Sequence, residues 1–339
     1  MMRKPKAVLI SDIHFNLATL PLAETALRAA MAGANLLDVP LIIAGDLTDG
    51  KAIIRGEVSN LLCTVMQSTV DIMQVYVIIG NHDLLNEKGQ EHALHFLAPY
   101  CNIVQSPTEA HGLHLIPYQT STEALQAILD TIPKGSTIIC HQGVQSAFMG
   151  HYVQDKTSLP KEAFADFRVI SGHYHRAQDI KCGRPRKGAV GLFSYIGNPF
   201  TLTFGEAEDG PKGIQVLYDD GLLEQAELPL RRHIIWELTV EEVAAQFNTS
   251  SPFFNPNDLL WLKVSGPRSE LAKLNKAKIG QHLLGHSNYK LDLIPTDSEE
   301  LPESKKKLTG EEIFDILIEM LPEKKEQKNF LKKLWREVV

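Results

Sequence analysis

The stretch Ala7-Val-Leu-Ile-Ser-Asp-Ile-His14 decides the first step of the fold, because four apolar residues run directly into polar ones. A short apolar run that ends in a polar cluster is typical of a strand buried on both faces of a sheet. The arrangement returns at Val39–Ala44, which is followed by Asp46, and at Ile72–Ile79, which is followed by Asn81. These runs predict buried strands whose carboxyl ends carry polar side chains.

Helical patterns separate the early strands, at Leu20–Ala34 and Ile53–Gln67. Alternating strands and helices predict βα units packed as a sheet with covering helices. After about Ser136 strand-like runs dominate, and they lie at Thr137–Cys140, Phe167–Ile170, Phe193–Ile196 and Gly213–Tyr218. We therefore expect an α/β protein in which these later strands form a second sheet packed on the first.

A new α/β pattern begins after Pro229. Its predicted elements are a strand at Ile234–Leu238, a helix at Val240–Phe247, a strand at Leu259–Val264, a helix at Ser269–Leu284 and a strand at Tyr289–Ile294. Together with the earlier strands and the polar stretch that follows Ile294, this pattern predicts four parts in the chain. They are a large domain at 1–230, a small α/β domain at 231–295, a linker at 296–308 and a helical segment at 309–339.

The helical segment is predicted to bind a partner. Thr309 and Glu312 have the spacing of a capping box, which marks a helix start. The apolar residues that recur at helical spacing include Ile313, Ile316, Leu317, Leu321, Phe330, Leu334 and Trp335. This apolar face either packs on the chain's own body or binds another protein, and the polar linker before it favours the second.

Composition limits the classes of function. The 339 residues are 44% hydrophobic and 22% charged, with a net charge of -7. DNA binding would therefore depend on a local surface or on metal ions. The four cysteines form no C-x-x-C pair, and no leader or apolar run of roughly 20 residues is present, so we expect a cytoplasmic protein without a membrane span.

Seven candidate metal ligands follow the predicted strands. They are Asp12, His14, Asp46, Asn81, His141, His173 and His175. Carboxyl ends of parallel strands converge at one edge of a sheet, so ligands distant in sequence can meet there. Carboxylate, amide and imidazole groups suit manganese, iron or zinc, and also magnesium. Any one of these residues is more often a turn former, but five motifs in order favour a metal site.

The order D-x-H, G-D, G-N-H-D, H and G-H-x-H resembles the calcineurin-like metallophosphoesterase superfamily, over about residues 7–218. The resemblance implies a two-sheet αββα sandwich and a centre of two divalent ions, most commonly manganese. One ion would take Asp12, His14 and His175, and the other Asn81, His141 and His173. Asp46 would bridge the two ions.

His82 and Asp49 take catalytic roles from the same resemblance. His82 would donate a proton to the leaving oxygen or stabilise its charge, as an imidazole can near neutral pH. Asp49 would pair with His82 and favour its protonated form. A histidine beside a ligand can also be purely structural.

A further stretch resembles the SbcD-type nuclease subunits of double-strand-break repair, above all those of bacteriophages. Their Y-x-G-S-P, F-x-E and K-G motifs match Tyr195–Pro199, Phe204–Glu206 and Lys212–Gly213, although Asn198 replaces the usual Ser or Thr. The resemblance implies a DNA exonuclease and endonuclease that acts in recombination, repair or replication. It also implies a homodimer, a DNA-capping role for 231–295 and an SbcC-type ATPase that binds 309–339.

Four residues near these motifs are candidates for DNA contact. Arg176, Arg184 and Arg186 belong to a basic stretch that either binds phosphates or is simply solvated. The ring of Phe200 either stacks on a base or packs in the core. Two other functions stay open: a small-molecule phosphodiesterase or phosphatase on the same scaffold, and a scaffold protein without catalysis.

Overall fold

The computed structural model of the chain describes residues 3–86, 91–186, 189–246, 255, 257–274, 279 and 289–297. In chain order the strands are β1 (Pro5–Ile10), β2 (Leu41–Ala44), β3 (Val75–Ile78), β4 (Asn102–Val104), β5 (Thr108–Ala110), β6 (Leu113–Ile116), β7 (Thr137–His141), β8 (Arg168–Gly172), β9 (Gln178–Arg186), β10 (Ala189–Tyr195), β11 (Gly213–Tyr218), β12 (Leu223–Glu227), β13 (His233–Thr239), β14 (Leu259–Gly266) and β15 (Tyr289–Pro295). The α-helices are α1 (Leu20–Leu37), α2 (Gly56–Gln67), α3 (Thr122–Leu129), α4 (Val240–Gln246) and α5 (Arg268–Leu271).

Two six-stranded sheets form the large domain. The first has the order β12-β11-β1-β2-β3-β4 and the second the order β5-β6-β7-β8-β10-β9. Strands β1 to β4 run parallel to one another, as do β6, β7, β8 and β10. The parallel strands of each sheet therefore end at one common edge.

One strand assignment from the sequence is wrong. Gly213–Tyr218 was expected in the second sheet, but β11 pairs antiparallel with β1 in the first, where Val8 lies opposite Val216. Its apolar pattern matches either sheet equally well, because sheet membership depends on long-range pairing rather than on local pattern.

Alternate residues of the first strands face two different cores. Ala7 and Leu9 of β1 pack between the sheets against residues such as Ile139 of β7 and Ile170 of β8. Val8 and Ile10 point to the other face and pack under α1 and α2. Because strand side chains alternate, burial of both faces requires the continuous apolar runs seen in the sequence.

The second sheet is covered on its outer face by α3. Ser121 caps this helix through its Oγ, which accepts a 3.1 Å hydrogen bond from the backbone N–H of Ala124. Leu125 and Leu129 of α3 pack against the core of the second sheet. The layer order is therefore helix, sheet, sheet, helix, and the predicted αββα sandwich is confirmed.

Strands β13, β14 and β15 form a separate three-stranded parallel sheet in that order. The three strands predicted there are present. We call the described residues from His233 to Pro295 the appended unit; its core includes Leu260, Leu262 and Val264. The helix predicted at Ser269–Leu284 is wrong in its length: α5 ends at Leu271, and residues 272–274 are not helical. Most of the later residues of that prediction lie outside the described part of the chain.

Residues 298–339 are also outside the described part of the chain. The predicted linker falls largely there, and the helical segment with its partner-binding residues Ile313 to Trp335 falls there entirely, so both stay predictions. Among the described helices, none is long and apolar enough to cross a membrane.

Candidate metal centre

All seven predicted ligands meet at the edge where the parallel strands of both sheets end. Asp12 and His14 follow β1, Asp46 follows β2 and Asn81 follows β3. From the second sheet, His141 is the last residue of β7, and His173 and His175 follow β8. The two sheets thus contribute ligands from opposite sides of one cleft, which is where open α/β sheets place their sites.

The first group of ligands contains Asp12, His14 and His175. One ligand atom from each lies within 4.8 Å of the others. The Nε2 atoms of His14 and His175 are 3.1 Å apart. Two imidazole nitrogens and a carboxylate this close together are placed to bind one cation.

The second group contains Asn81, His141 and His173. Oδ1 of Asn81 lies 2.8 Å from Nδ1 of His173 and 3.1 Å from Nε2 of His141. The groups are tied together by Asp12, whose two carboxylate oxygens accept the backbone N–H of His173, each at 3.1 Å.

Asp46 lies between the two groups. Its Oδ2 is 3.2 Å from Nε2 of His141 and 3.8 Å from Nε2 of His14, while its Oδ1 accepts a 2.8 Å hydrogen bond from the backbone N–H of His82. Burial opposes ionisation, but the neighbouring imidazoles outweigh it and hold the pKa of Asp46 below its usual range. One carboxylate is therefore placed to contact both cation positions.

The histidine tautomers fit metal binding. His141 donates from Nδ1 to the carbonyl of Ala44 at 2.8 Å, and His175 is paired through Nδ1 with Glu206 at 2.8 Å. A proton held on Nδ1 leaves the lone pair of Nε2 free for a cation. The hydrogen-bonding partners of His141 Nε2 among the described residues are the oxygen acceptors of Asn81 and Asp46, so the donor set fits a divalent ion.

Two pKa shifts of opposite direction show that the centre favours a proton on His141 but not a second one on His173. Burial disfavours a proton on His141, but the charge of Asp46 outweighs it and raises the pKa of His141 to about 9. Burial and the charge of His141 lower the pKa of His173 to about 4. Without metal, the centre therefore takes up a proton at His141 and keeps His173 neutral.

Four of the seven ligands have left-handed backbones. The φ angles are 52° at Asp12, 49° at His14, 50° at Asp46 and 94° at His173. Non-glycine residues rarely adopt this region, and such strain is concentrated at functional sites. The strain turns the chain sharply at each strand end and brings the ligands into the cleft.

Two glycines permit the close approach of the loops. Gly45 has φ of 88°, and a Cβ there would lie 2.2 Å from Nδ1 of His141. A Cβ on Gly80 would lie 2.2 Å from Oδ1 and 2.3 Å from the backbone N of Asp46. A side chain at either position would displace a ligand.

Asp49 contacts two histidines rather than His82 alone. Its Oδ1 lies 3.4 Å from Nδ1 of His14 and 3.7 Å from Nδ1 of His82. Nδ1 of His82 also lies 3.3 Å from the backbone carbonyl oxygen of Asp49. The contact with His14 is the main cause that holds the pKa of Asp49 below its usual range. The proposed pair with His82 is thus shared with a metal ligand.

Glu206 is a residue of the centre that sequence reasoning missed. Its Oε1 pairs with Nδ1 of His175, and its Oε2 accepts hydrogen bonds from Nδ2 of Asn198 at 2.9 Å and from the backbone N–H of Leu202 at 2.8 Å. Burial alone would raise the pKa of Glu206, but these donors lower it to about 2. The F-G-E motif was visible in the sequence, but the contact with His175 was not.

Lys212 completes this network. Its Nζ donates to Oδ1 of Asn198 at 2.6 Å, to the backbone carbonyl of His175 at 2.8 Å and to Oδ2 of Asp209 at 2.9 Å. The stretch from Asn198 to Lys212 therefore holds the loop of a metal ligand. Its residue pattern has a structural reason that does not depend on DNA.

Asp83 is a second missed residue. It is fully buried, and its carboxylate accepts the backbone N–H of Gly80 and of Thr48, each at 3.0 Å, and the hydroxyl of Thr48 at 3.1 Å. It thereby joins the loops that carry Asp46 and Asn81. The last position of G-N-H-D was its signal in the sequence.

The four candidate DNA-contact residues, unlike the metal ligands, are not brought together by the described structure. Phe200 is 1% exposed and packs in the core of the first sheet, so the alternative in which it stacks on a base is wrong for this conformation. Arg176 is half-buried, with its guanidinium 5.9 Å from the ring centre of Phe148. Arg184 and Arg186 belong to β9, and their side chains lie outside the described part.

A two-sheet sandwich with these oxygen and nitrogen ligands in its cleft is the architecture of a metal-dependent hydrolase. Residues 5–177, just over half of the chain, match the sequence pattern of the calcineurin-like phosphoesterases. The chain belongs to that family. The matched region includes every one of the seven predicted ligands.

Individual proteins are similar at lower identity. Putative phosphoesterase 244L of Invertebrate iridescent virus 6 is 23% identical over 239 residues, covering 66% of this chain and 79% of the viral protein. A nuclease, MPE of Pseudomonas putida, covers 62% of this chain and 84% of its own at 14% identity and a TM-score of 0.32. The match to GAP50, the anchor in the inner membrane complex of Plasmodium, covers 89% of this chain and 99% of GAP50, at 13% identity and a TM-score of 0.36. The family assignment rests on residues 5–177 and not on these structures.

Proposed function

We propose that the chain is a DNA nuclease that hydrolyses phosphodiester bonds with two divalent ions, for which manganese is our first choice. The observation that carries the two-ion mechanism is the position of Asp46, with Oδ2 at 3.2 Å from His141 and 3.8 Å from His14. A carboxylate shared by two ligand groups is what a pair of ions roughly 3.5–4 Å apart requires.

Each ligand group has a defined task in this mechanism. Bound at the centre, two divalent ions supply a Lewis acid for the phosphate and activate a water near neutral pH. Asp12, His14 and His175 would hold one ion, and Asn81, His141 and His173 the other, with Asp46 between them. The contacts of Nδ1 with Ala44 and Glu206 leave the Nε2 lone pairs of His141 and His175 free, so these atoms would hold the ions.

His82 is proposed as the group that assists the leaving oxygen. Its side chain is 33% exposed, whereas that of His14 is 4% exposed, so His82 alone of this pair is open to a substrate. Its backbone N–H is bonded to Asp46, which fixes it beside the centre. An imidazole so placed can deliver a proton to the departing alkoxide.

The choice of DNA rests on resemblance. The motifs between Tyr195 and Gly213 and the order of the parts resemble SbcD-type nuclease subunits. The appended unit lies near the metal centre, because its His233 packs on the ring of Phe204, two residues before the Glu206 that pairs with His175. We extend the proposal to an SbcC-type ATPase bound by residues 309–339, to a homodimer and to action at DNA ends.

A comparison of substrates tests the proposal. The full chain would be incubated with manganese and end-labelled linear duplex, single-stranded DNA or bis-p-nitrophenyl phosphate, with and without the ATPase. We expect cleavage of labelled DNA that EDTA stops and that Asp46→Asn abolishes. Hydrolysis of the small diester with intact DNA would instead favour a small-molecule phosphodiesterase.

A truncation tests the partner proposal. Removal of the residues after Lys307 should abolish capture of the ATPase and leave manganese-dependent hydrolysis of the small diester unchanged. Loss of the fold on truncation would show that the helical segment packs on its own chain. Retained capture would place the ATPase site elsewhere.

A further inference from the structure

We propose that Glu206 is a positioning residue for the metal ligand His175, and that the appended unit holds Glu206 in place through Phe204. The appended unit would then support the metal centre as well as lie beside it. This inference rests on the metal part of the proposed function and is independent of DNA as the substrate.

The first step is the contact between Glu206 and His175. Both oxygens of the Glu206 carboxylate are engaged, Oε1 with His175 and Oε2 with Asn198 and the backbone of Leu202. The Glu206 side chain is 11% exposed, so water competes little for these bonds. A carboxylate fixed at both oxygens sets the ring orientation and tautomer of the histidine it contacts.

The second step is the short helix that carries Glu206. Residues Phe204–Glu206 form a single turn of 3₁₀ helix, too short to be stable alone. Phe204 lies at one end of this turn and Glu206 at the other. Whatever holds Phe204 therefore also restrains Glu206.

The third step is the packing of Phe204 against the appended unit. Its ring packs edge to face on His233, with centroids 4.8 Å apart, and on Trp261, with centroids 5.5 Å apart. The positive edge of one ring then meets the negative face of the other, which favours this arrangement. His233 is itself fixed to Thr201, whose hydroxyl oxygen accepts its backbone N–H at 2.8 Å.

The fourth step is the rigidity of Trp261. Its Nε1–H donates to Oδ2 of Asp292 at 3.0 Å. The ammonium groups of Lys263 and Lys290 lie 4.7 Å and 3.8 Å from its ring centre, within cation–π range. Trp261 is therefore held by Lys263 on its own strand and by Lys290 and Asp292 on β15, and it supplies Phe204 with an ordered ring to pack against.

These contacts form a continuous path from β14 to the metal ligand: Trp261, Phe204, Glu206 and His175. Coupling between two sites is reciprocal in binding free energy. Loss of the contacts of Phe204 with His233 and Trp261 should therefore lower the affinity for the ion held by His175. Binding of that ion should in turn stabilise the packing of the appended unit on Phe204. Within the described part of the chain, the Glu206 carboxylate bonds to His175, Asn198 and Leu202 but not to Asn81, His141 or His173, so the affinity for the ion held by those three ligands should change less.

Manganese titration of the full, metal-free chain by calorimetry tests the proposal. We expect Glu206→Ala to lower the affinity for one of the two manganese ions by about 10–100-fold, which is the usual effect of removing a carboxylate that hydrogen-bonds a histidine ligand. Glu206→Gln keeps an acceptor for His175 and should restore part of the affinity. Phe204→Ala should weaken the same ion by several-fold, and Tyr289→Ala, an exposed aromatic of the same sheet, should leave both ions unchanged.

Several outcomes would overturn the proposal. Unchanged manganese affinities in Glu206→Ala would remove its positioning role, and unchanged affinities in Phe204→Ala would remove the coupling. Equal weakening of both ions would show a general loss of structure. If Phe204→Ala unfolds, Phe204→Leu replaces it in the titration, because leucine keeps apolar volume at this position without the aromatic edge contacts. Affinity shifts in these variants together with intact DNA in the nuclease assay would leave the inference standing and reject the nuclease.

Discussion

Oδ1 of Asp49 lies 3.4 Å from Nδ1 of His14, a buried nitrogen that has no hydrogen bond to any described residue. The same oxygen is farther from His82, at 3.7 Å. Asp49 therefore stands behind a metal ligand as well as beside the proposed acid. Sequence reasoning had paired it with His82 only.

Replacement of Asp49 by Asn should lower both turnover and metal affinity. The charge that favours the Nδ1 proton of His14 is lost, so its Nε2 becomes a weaker ligand, by about 10-fold or more. Steady-state kinetics over a manganese series separates the two effects. Reduced turnover at saturating metal with an unchanged metal dependence would assign Asp49 to His82 alone.

Replacement of His82 by Ala should lower kcat on DNA by about 10²–10⁴-fold, because a proton donor for the leaving alkoxide is lost. The loss should be much smaller on bis-p-nitrophenyl phosphate, since p-nitrophenolate departs without a proton. Manganese affinity, measured by calorimetry, should stay unchanged. Equal losses on both substrates would argue for a structural role.

Replacement of Gly80 by Ala should damage the centre. The new Cβ would meet the backbone N of Asp46 at 2.3 Å, which no rotamer change can relieve. We expect a loss of roughly 1–3 kcal/mol in the free energy of unfolding and weaker metal binding.

Gly56→Ala is the matched control for that change. A Cβ at Gly56, the first residue of α2, meets nothing within 4 Å. This variant should gain about 0.4–1 kcal/mol in the free energy of unfolding. If urea unfolding shows the two variants to be alike, the close approach at Gly80 is not essential.

The stability of the metal-free chain should depend on Glu206 at acid pH. The donors around Glu206 lower its folded pKa to about 2 from an ordinary 4.5, so its contribution is present above pH 4.5 and is lost as the pH falls towards 2. The shift corresponds to at most about 3 kcal/mol. The stability difference between wild type and Glu206→Gln, from urea unfolding, should therefore shrink across this window. A constant difference would mean that Glu206 does not titrate there.

The ligands could be predicted because their signals are local. Each one lies at the end of a buried strand or within a few residues after it, as Asp12 follows β1, and the ends of parallel strands lie at one edge of the sheet. The helices α1 and α2 were predicted for a similar reason, since long amphipathic patterns are strong signals. Their ends differ from the prediction by only a few residues.

What could not be predicted depends on contacts between distant segments. Strands β4 and β5 have three residues each, too few for a pattern to stand out. The pairing of β11 with β1 and the contact of Glu206 with His175 form only in the folded chain. Phe200 shows the same limit, because an aromatic residue after a motif has no local sign of burial.

Anomalous diffraction at the manganese edge, from crystals of the full chain grown with manganese, tests the central claim most directly. We predict two peaks roughly 3.5–4 Å apart on either side of the Asp46 carboxylate. One peak should contact Nε2 of His14 and of His175, and the other Oδ1 of Asn81 and Nε2 of His141. A single peak, or peaks away from Asp46, would contradict the two-ion centre.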